Sequence, residues 1–383
     1  MKYQLKTDAI VNAVASALCV AVLFLPGAVL AQDSYPTYDF GGRIQADNTN
    51  YDNDKYQYQD GTEVRRLRAY LRGNLSENWE YRGQFDFAST NTSLKDGYLR
   101  YTGLENQLIT IGQFKVFSGL EELTSSNNIT FTERSLANAL DEGRRVGVGY
   151  QRWSSRYSFS IAAYSHESAN SKRGEGISSR AVYRPNIGDG QLLHLGVNVS
   201  RQSPESNSLR IRSRAETHQD SNRIVDTRSI PNVDSYSKQG VELAYVNGRF
   251  SAQAEFSRQP IKLSAGTTAV TSTNTGANID PTFSAYYFDM SWFLTDDSRP
   301  YSNSSAAFGT LTPSADTGAW QLGARISNLN LNDAGISGGE VDSISLGVNY
   351  YMNRDLRFTA TYVMADSKDD DPNAIHLRVR YTF

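Results

Sequence analysis

The sequence predicts an all-β fold, a transmembrane antiparallel β-barrel of sixteen strands, and three observations carry that expectation. From Tyr38 to the last residue the dominant hydrophobic period is two, the period of strands with two chemically different faces, and helical periodicity is nearly absent. One face of each strand is apolar and often aromatic, whereas a soluble β-sandwich would turn a polar face outward. The links between strands alternate between short and long, the pattern of outer-membrane barrels with tight turns at one rim and extended loops at the other.

The first 31 residues differ from the rest. Lys2 and Lys6 make a short basic start, an apolar stretch runs from about Ile10 to Leu25, and Val29-Leu30-Ala31 offers the small residues of a signal-peptidase cut. The expected organisation is a signal peptide over 1–31 and one barrel domain over 32–383. Cys19, the single cysteine, falls inside the leader, which removes disulfides, thiolate metal sites and cysteine nucleophiles from the exported chain. Beyond the leader no apolar run approaches the roughly 20 residues of a spanning helix, and mean hydropathy is −0.50. Rings replace flexible aliphatics, with 23 Tyr and 16 Phe against 4 Met, as suits a wall meeting lipid headgroups. The net charge of −3 shows no basic bias of the kind nucleic-acid binders carry.

Strands are expected at 39–47, 63–75, 78–88, 94–102, 107–115, 142–152, 155–166, 176–184, 191–201, 236–247, 249–258, 283–295, 318–328, 341–351, 355–364 and 373–383. Their even number returns both chain ends to one side. Links 48–62, 116–141, 202–235 and 259–282 are long. The link 296–317 breaks the alternation, since it falls on the short-turn side; it is either a folded flap or a sign of miscounting. A short helix is possible only around Glu133 to Ala139.

Alternation separates the faces. In 63–75, Leu67, Ala69, Leu71 and Leu75 share one side, and Arg66, Arg68, Tyr70 and Arg72 the other. In 283–295, Tyr286, Phe288, Met290, Trp292 and Leu294 oppose Asp289 and Ser291. The last strand sets Ile375, Leu377, Val379, Tyr381 and Phe383 against His376, Arg378 and Arg380. Strand 107–115 resists this treatment because Leu108 and Ile109 are both apolar. Applied throughout, the rule collects Arg66, Arg68, Arg72, Arg82, Arg100, Lys115, Arg145, Arg180, Arg184, Arg325, Arg357, Arg378 and Arg380 inward, against fewer acids: Glu80, Asp86, Asp96, Glu242, Glu255 and Asp289. A net-acidic chain is therefore expected to have a basic lumen, and guanidinium groups along an aqueous passage enrich anions. For any one of them, pairing with an inward carboxylate that stiffens the wall is the alternative. Arg210, Arg212 and Arg214 would form a ladder in an extended segment, lining an outer vestibule or standing in a solvated loop.

Catalytic strings are missing. Ser160 or Ser165 near His166 is the nearest approach to a lipase pair, and ordinary barrel hydroxyls explain it better. The run Asp366, Asp369, Asp370 and Asp371 lacks calcium-loop spacing, and no zinc, phosphate-loop or dinucleotide motif occurs. No metal, cofactor or enzymatic role is expected.

Several strings nevertheless occur in a telling order. Ile111-Gly112-Gln113-Phe114-Lys115 continues through Phe117-Ser118-Gly119-Leu120-Glu121 to Thr124-Ser125-Ser126 and Glu133-Arg134. Later come Arg210-Ile211-Arg212-Ser213-Arg214, Phe293-Leu294-Thr295 with Arg299-Pro300-Tyr301, and Gly318-Ala319-Trp320-Gln321-Leu322-Gly323-Ala324-Arg325. This resembles the phosphate-selective porin O and P family across nearly the whole exported chain. The resemblance implies a sixteen-stranded homotrimer in the bacterial outer membrane, amid lipid and lipopolysaccharide, with loop 116–141 folded inward. It implies a porin for passive diffusion of small hydrophilic solutes, with anions such as phosphate preferred. A non-selective porin or an outer-membrane lipid hydrolase is the alternative. It casts Arg210, Arg212 and Arg214 as vestibule residues and Arg66, Arg68 and Lys115 as candidates near a constriction. The full set of pore-lining and anion-binding candidates is Arg66, Arg68, Arg72, Arg82, Lys115, Arg145, Arg180, Arg210, Arg212, Arg214, Arg325, Arg378 and Arg380. One departure matters: loop 116–141 has no lysine and carries Glu121, Glu122 and Glu133, which favours a broad anion preference over tight phosphate selectivity.

Overall fold

The computed structural model describes residues 35–52, 58–165, 174–264 and 280–383; the expected leader and His166 lie outside them. Sixteen strands close into a barrel: β1 (Asp39–Asp52), β2 (Gly61–Ser76), β3 (Trp79–Asp86), β4 (Ser93–Tyr101), β5 (Gln107–Lys115), β6 (Arg144–Trp153), β7 (Tyr157–Tyr164), β8 (Glu175–Tyr183), β9 (Gln191–Ser203), β10 (Val233–Asn247), β11 (Phe250–Leu263), β12 (Thr282–Phe293), β13 (Ala319–Asp333), β14 (Ile336–Tyr351), β15 (Leu356–Ser367) and β16 (Asn373–Thr382). Each pairs antiparallel with its sequence neighbours. The last meets the first with Arg43 opposite Thr382 and Asp47 opposite Arg378.

Alternation sorts the side chains as the sequence predicts. Leu67, Leu75, Tyr286, Phe288, Met290, Trp292, Ile375, Leu377 and Val379 are exposed on the outward face, while Arg66, Asp289, Ser291, His376, Arg378 and Arg380 are buried inside. Rings gather at the short-turn rim. Trp79 lies 5.2 Å from Tyr101, Tyr157 stacks 5.1 Å from Tyr183, and Trp320 stacks 4.7 Å from Tyr350. Each couples the start of one strand to the end of a neighbour, which builds an aromatic belt at one membrane interface.

Three departures from the sequence reading have physical causes. Residues 329–340 form no loop; β13 and β14 run on to a tight hairpin at Ala334-Gly335, both with positive φ, 48° and 84°. The expected helix becomes a 3-10 turn at Leu136–Leu140, and a single α-helical turn, α1, forms at Leu120–Leu123. The strands from β10 to β15 are apolar on the inside as well near their long-loop ends, where Val233, Ile261, Leu263, Phe283, Leu329, Leu331 and Val341 make one buried cluster. The long 296–317 link is real: the chain between β12 and β13 carries a small hairpin pairing Tyr301–Ser302 with Ala307–Phe308.

Strand β5, which alternation alone left open, turns on Gly112. Its φ is +125°, and a Cβ there would stand 2.2 Å from the Gly97 carbonyl oxygen and 2.8 Å from Tyr98 Cα. Thr110 and Phe114 are buried while Ile111 is exposed. Gly112→Ala is expected to destabilise the barrel by about 1–3 kcal/mol, lowering the midpoint for loss of heat-modifiable migration on detergent gels. An unaltered midpoint would show that β4 and β5 can separate without cost.

Candidate pore and its constriction

The bore is occupied from three directions. Loop 116–143 leaves β5 and is tied at its neck, where Ser118 Oγ donates to Asp141 at 2.8 Å and the Lys238 ammonium of β10 reaches both the Asp141 carboxylate and the Ser118 carbonyl. The backbone N–H groups of Leu120 and Glu121 opening α1 donate to the Glu255 carboxylate of β11 at 3.0 and 2.7 Å. Asn349 of β14 and Arg357 of β15 then donate to the Thr130 carbonyl, each at 2.9 Å. Arg43 of β1 donates to Ser126 Oγ at 2.9 Å. A segment that touches inward residues of β1, β10, β11, β14 and β15 crosses the interior of the cylinder. Phe131 lies against Gly323 and Gly347, where a Cβ would come within 3.3 and 3.1 Å of its ring, and the Arg325 guanidinium sits 4.3 Å above that ring.

From the long-loop side, segment 204–232 brings in Glu216. Its carboxylate accepts from Leu136 N–H at 3.1 Å and Ser345 Oγ at 2.8 Å, and pairs with Arg325 at 3.3 Å. From the short-turn side, the 294–318 segment folds upward. Arg180 donates to the Ala306 carbonyl at 2.8 Å, His194 and Tyr301 share a 2.6 Å hydrogen bond, and Arg299 stacks 3.5 Å over the Phe308 ring. Ala307 and Phe308 pack on Leu120 of α1. Burial draws the Arg299 guanidinium down to about 10, which leaves it cationic at neutral pH.

What stays open lies beside β1 to β6, a cavity of about 370 Å³ lined by Arg43, Arg66, Arg68, Arg82, Arg100, Lys115, Arg134 and Arg144, with Asp96 the acid on its wall. A larger groove, about 780 Å³ near Phe159, Tyr183 and Val197, lies on the outward apolar face and belongs to the lipid side. Seven of these eight cations have a carboxylate partner: Arg66 with Glu133 at 3.4 Å, Arg68 with Asp86 at 2.7 Å, Arg82 and Arg144 with Asp96 at 3.5 and 2.7 Å, Arg100 with Glu80 at 3.8 Å, and Lys115 and Arg134 with Glu122 at 3.2 and 3.4 Å. Arg43 has no carboxylate within salt-bridge distance among the described residues, and its Nε has no partner.

Of the sequence candidates, Arg66, Arg68, Arg82 and Lys115 meet at this opening. The others stand elsewhere. Arg72 pairs with Asp39 at 2.5 Å near the short-turn rim, and Arg145 is buried toward Gln202. Arg180 is bound to Glu242 at 2.7 Å, and Arg325 is enclosed by Asp289, Glu121 and Glu216. Arg378 holds Asp47 and Glu133, and Arg380 donates to the Asn127 carbonyl at 3.0 Å. Arg210 is exposed and paired with Asp226, Arg212 is exposed, and Arg214 donates to the Asp220 carbonyl at 2.6 Å. Sequence reasoning missed Arg43, Arg134 and Arg144 as lining residues. Arg43 was accessible from alternation with Ile44 in β1; Arg134 sits in a loop, where no period applies.

Glu122 governs part of the surplus. Burial by itself raises its carboxyl, but Arg134 foremost, then Lys115 and a hydrogen bond from Asn138, hold it down at about 2. A depressed carboxyl stabilises the fold above its ordinary value near 4.5, and that contribution fades as pH falls toward 2. Open-channel current should therefore grow noisier between pH 4.5 and 2 as loop 116–143 loosens. Glu122→Gln should remove that pH dependence and raise anion preference at pH 7 by releasing Lys115 and Arg134. Noise unchanged across this window in the unaltered protein would disconnect Glu122 from the loop.

Comparison with known proteins matches this architecture. The family model described as phosphate-selective porin O and P fits residues 39–383. Porin O of Pseudomonas aeruginosa is 26% identical over 93% of this chain and 90% of its own length. A protein of Caulobacter vibrioides without assigned function is 30% identical over 82% of this chain, which spans 64% of that relative. Among solved structures, the anion-selective porin from Comamonas acidovorans superposes with a TM-score of 0.56 at 10% identity, covering 91% of this chain and 99% of its own. Outer membrane protein OmpT of Vibrio cholerae gives 0.56 at 12% identity, covering 93% and 100%. This chain, a sixteen-stranded porin of the bacterial outer membrane, belongs to the phosphate-selective porin O and P family.

Proposed function

We propose that the protein passes small anions, inorganic phosphate among them, down their gradients through the opening beside β1 to β6, without a chemical step. In this reading residues 1–31 are removed on export, 32–383 form the membrane domain, and three copies assemble. One observation carries the reading: Arg43, a buried guanidinium on the wall of an open cavity, has no carboxylate within salt-bridge distance among the described residues. Seven further cations share the wall and are paired with five carboxylates among them, so positive charge stays in excess. In a narrow, partly dehydrated passage such a surplus lowers the energy of an entering anion and raises that of a cation. The guanidinium forks suit the paired oxygens of phosphate and carboxylate. The family name and the anion-selective porin neighbour point the same way. Asp96 on the wall, and Glu122 behind Lys115 and Arg134, argue for a general anion preference over strict phosphate selection.

Reversal potentials in planar bilayers under a tenfold KCl gradient test this. Chloride preference is expected in the unaltered protein. Arg43→Gln should reduce the anion-to-cation permeability ratio severalfold, and Arg66→Glu with Arg68→Glu should carry it toward or past unity. Cation preference in the unaltered protein would refute the reading, and a ratio near unity would leave a non-selective general porin.

A further inference from the structure

The two rims of the wall meet their lipid interfaces differently. The short-turn rim carries the aromatic belt. The long-loop rim carries charge on its outward face, with exposed cations on β9 and β11 and exposed acids on β14 and β15. Along β9 to β12 the outward rows can be read from the register. Val197, Val241, Phe256 and Tyr286 lie side by side in an apolar row. One row nearer the long loops stand Val199, Gln239, Arg258 and Ser284. In the next, Arg201 faces Ser237, and in the one beyond, Lys262 faces Ser235. Arg201, Arg258 and Lys262 are all exposed. Rows on one face repeat about every 7 Å and strands about every 4.8 Å, so the three cations form a compact triangle directly above the hydrocarbon-facing row.

Arg201 donates to Ser235 Oγ at 3.2 Å, and among the described residues none of the three makes an ion pair. Exposed acids nearby are Glu175, at the end of β8 opposite Ser203, Asp234 beside Ser235, and Asp280, whose carboxylate accepts from the Leu263 N–H at 2.9 Å next to Lys262. The contrast lies in the sector of β14 and β15, where Glu340, Asp342 and Asp366 are exposed at the same rim, with Asn328 bridging the first two at 3.1 and 3.0 Å.

We propose that the Arg201, Arg258 and Lys262 triangle binds the phosphates of a phosphorylated, acylated glycolipid of the outer leaflet, lipopolysaccharide, whose chains lie on the Val197 to Tyr286 row below. The proposal rests on the outer-membrane reading of the chain and is independent of which ions the bore admits. A soluble anion would gain from the cations alone, whereas a lipid also covers the contiguous apolar row. Charge complementarity together with that continuity selects the lipid.

The test uses the folded barrel in neutral detergent, with its thermal midpoint read from heat-modifiable gel migration while lipopolysaccharide is titrated. A rise in midpoint is expected for the unaltered protein. In the R201Q/R258Q/K262Q variant the titration midpoint should move to roughly hundredfold higher lipopolysaccharide, on the scale of three surface cations, with its KCl reversal potential unchanged as proof of an intact bore. Enzymatically dephosphorylated lipopolysaccharide on the unaltered protein should reproduce the loss without any substitution. Equal curves for variant and unaltered protein, an equal rise with dephosphorylated lipid, or an equal rise with inorganic phosphate alone would each overturn the proposal. A change of oligomeric state in the variant would assign the face to a second copy of the chain instead.

Discussion

In hydrocarbon an unpaired backbone N–H or C=O has no water to turn to and costs several kcal/mol. The sheet must therefore close, and the pairing of β16 with β1 from Arg43 to Asp52 removes the last open edge. Closure converts a local period of two into a global division. One face of every strand meets lipid, and the other meets an enclosed space in which the protein can place charge. The aromatic belt at one rim and the exposed charges at the other belong to the first face, and the open passage belongs to the second.

The enclosed space is mostly filled, and unevenly. On the side of β10 to β15 three inserted segments meet an inward apolar lining, so this half resembles the core of a soluble domain, with Leu136, Ile211 and Phe283 in one cluster. Their polar groups are satisfied by the wall. Glu255 accepts the first N–H groups of α1, and Arg357 takes up the Thr130 carbonyl that no strand would pair. Arg325 anchors this half by holding Asp289, Glu121 and Glu216, one from the wall and one from each of two loops. A buried guanidinium that serves three carboxylates fixes where two loops stand, and removing it would strand three charges in a dry interior. The open passage is what this packing leaves beside β1 to β6.

The architecture was legible in the sequence because lipid enforces alternation strictly: Leu67 against Arg66, or Trp292 against Ser291, can be oriented without coordinates. The number of strands followed for the same reason. Alternation tells only inside from outside. It placed Arg180, Arg325 and Arg378 inward correctly, yet it could not distinguish them from Arg66 and Arg82, because the distinction depends on which loop arrives opposite them. The 294–318 segment shows the limit. Its length was visible, but its upward fold rests on contacts such as His194 with Tyr301, more than a hundred residues apart. Arg134 was hidden for a related reason, since its direction is set by the Glu121, Glu122 and Thr124 carbonyls of its own loop.

The two halves of the bore use the same side chain under opposite conditions. Arg325 is fully enclosed and has three carboxylates around it, so its charge is spent within the protein. Arg43 is nearly as buried by its neighbours but borders the opening, and its nearest fixed partner is a neutral hydroxyl. An uncompensated guanidinium sealed from solvent would cost several kcal/mol, so Arg43 is tolerable only because water and mobile ions reach it. Carboxylates answer the other seven cations of that wall, and further acids stand around Arg325 and outward on β14 and β15, out of reach of Arg43. On the proposed reading the counterion of Arg43 is the permeating anion itself, because its fixed partner among the described residues is a neutral hydroxyl.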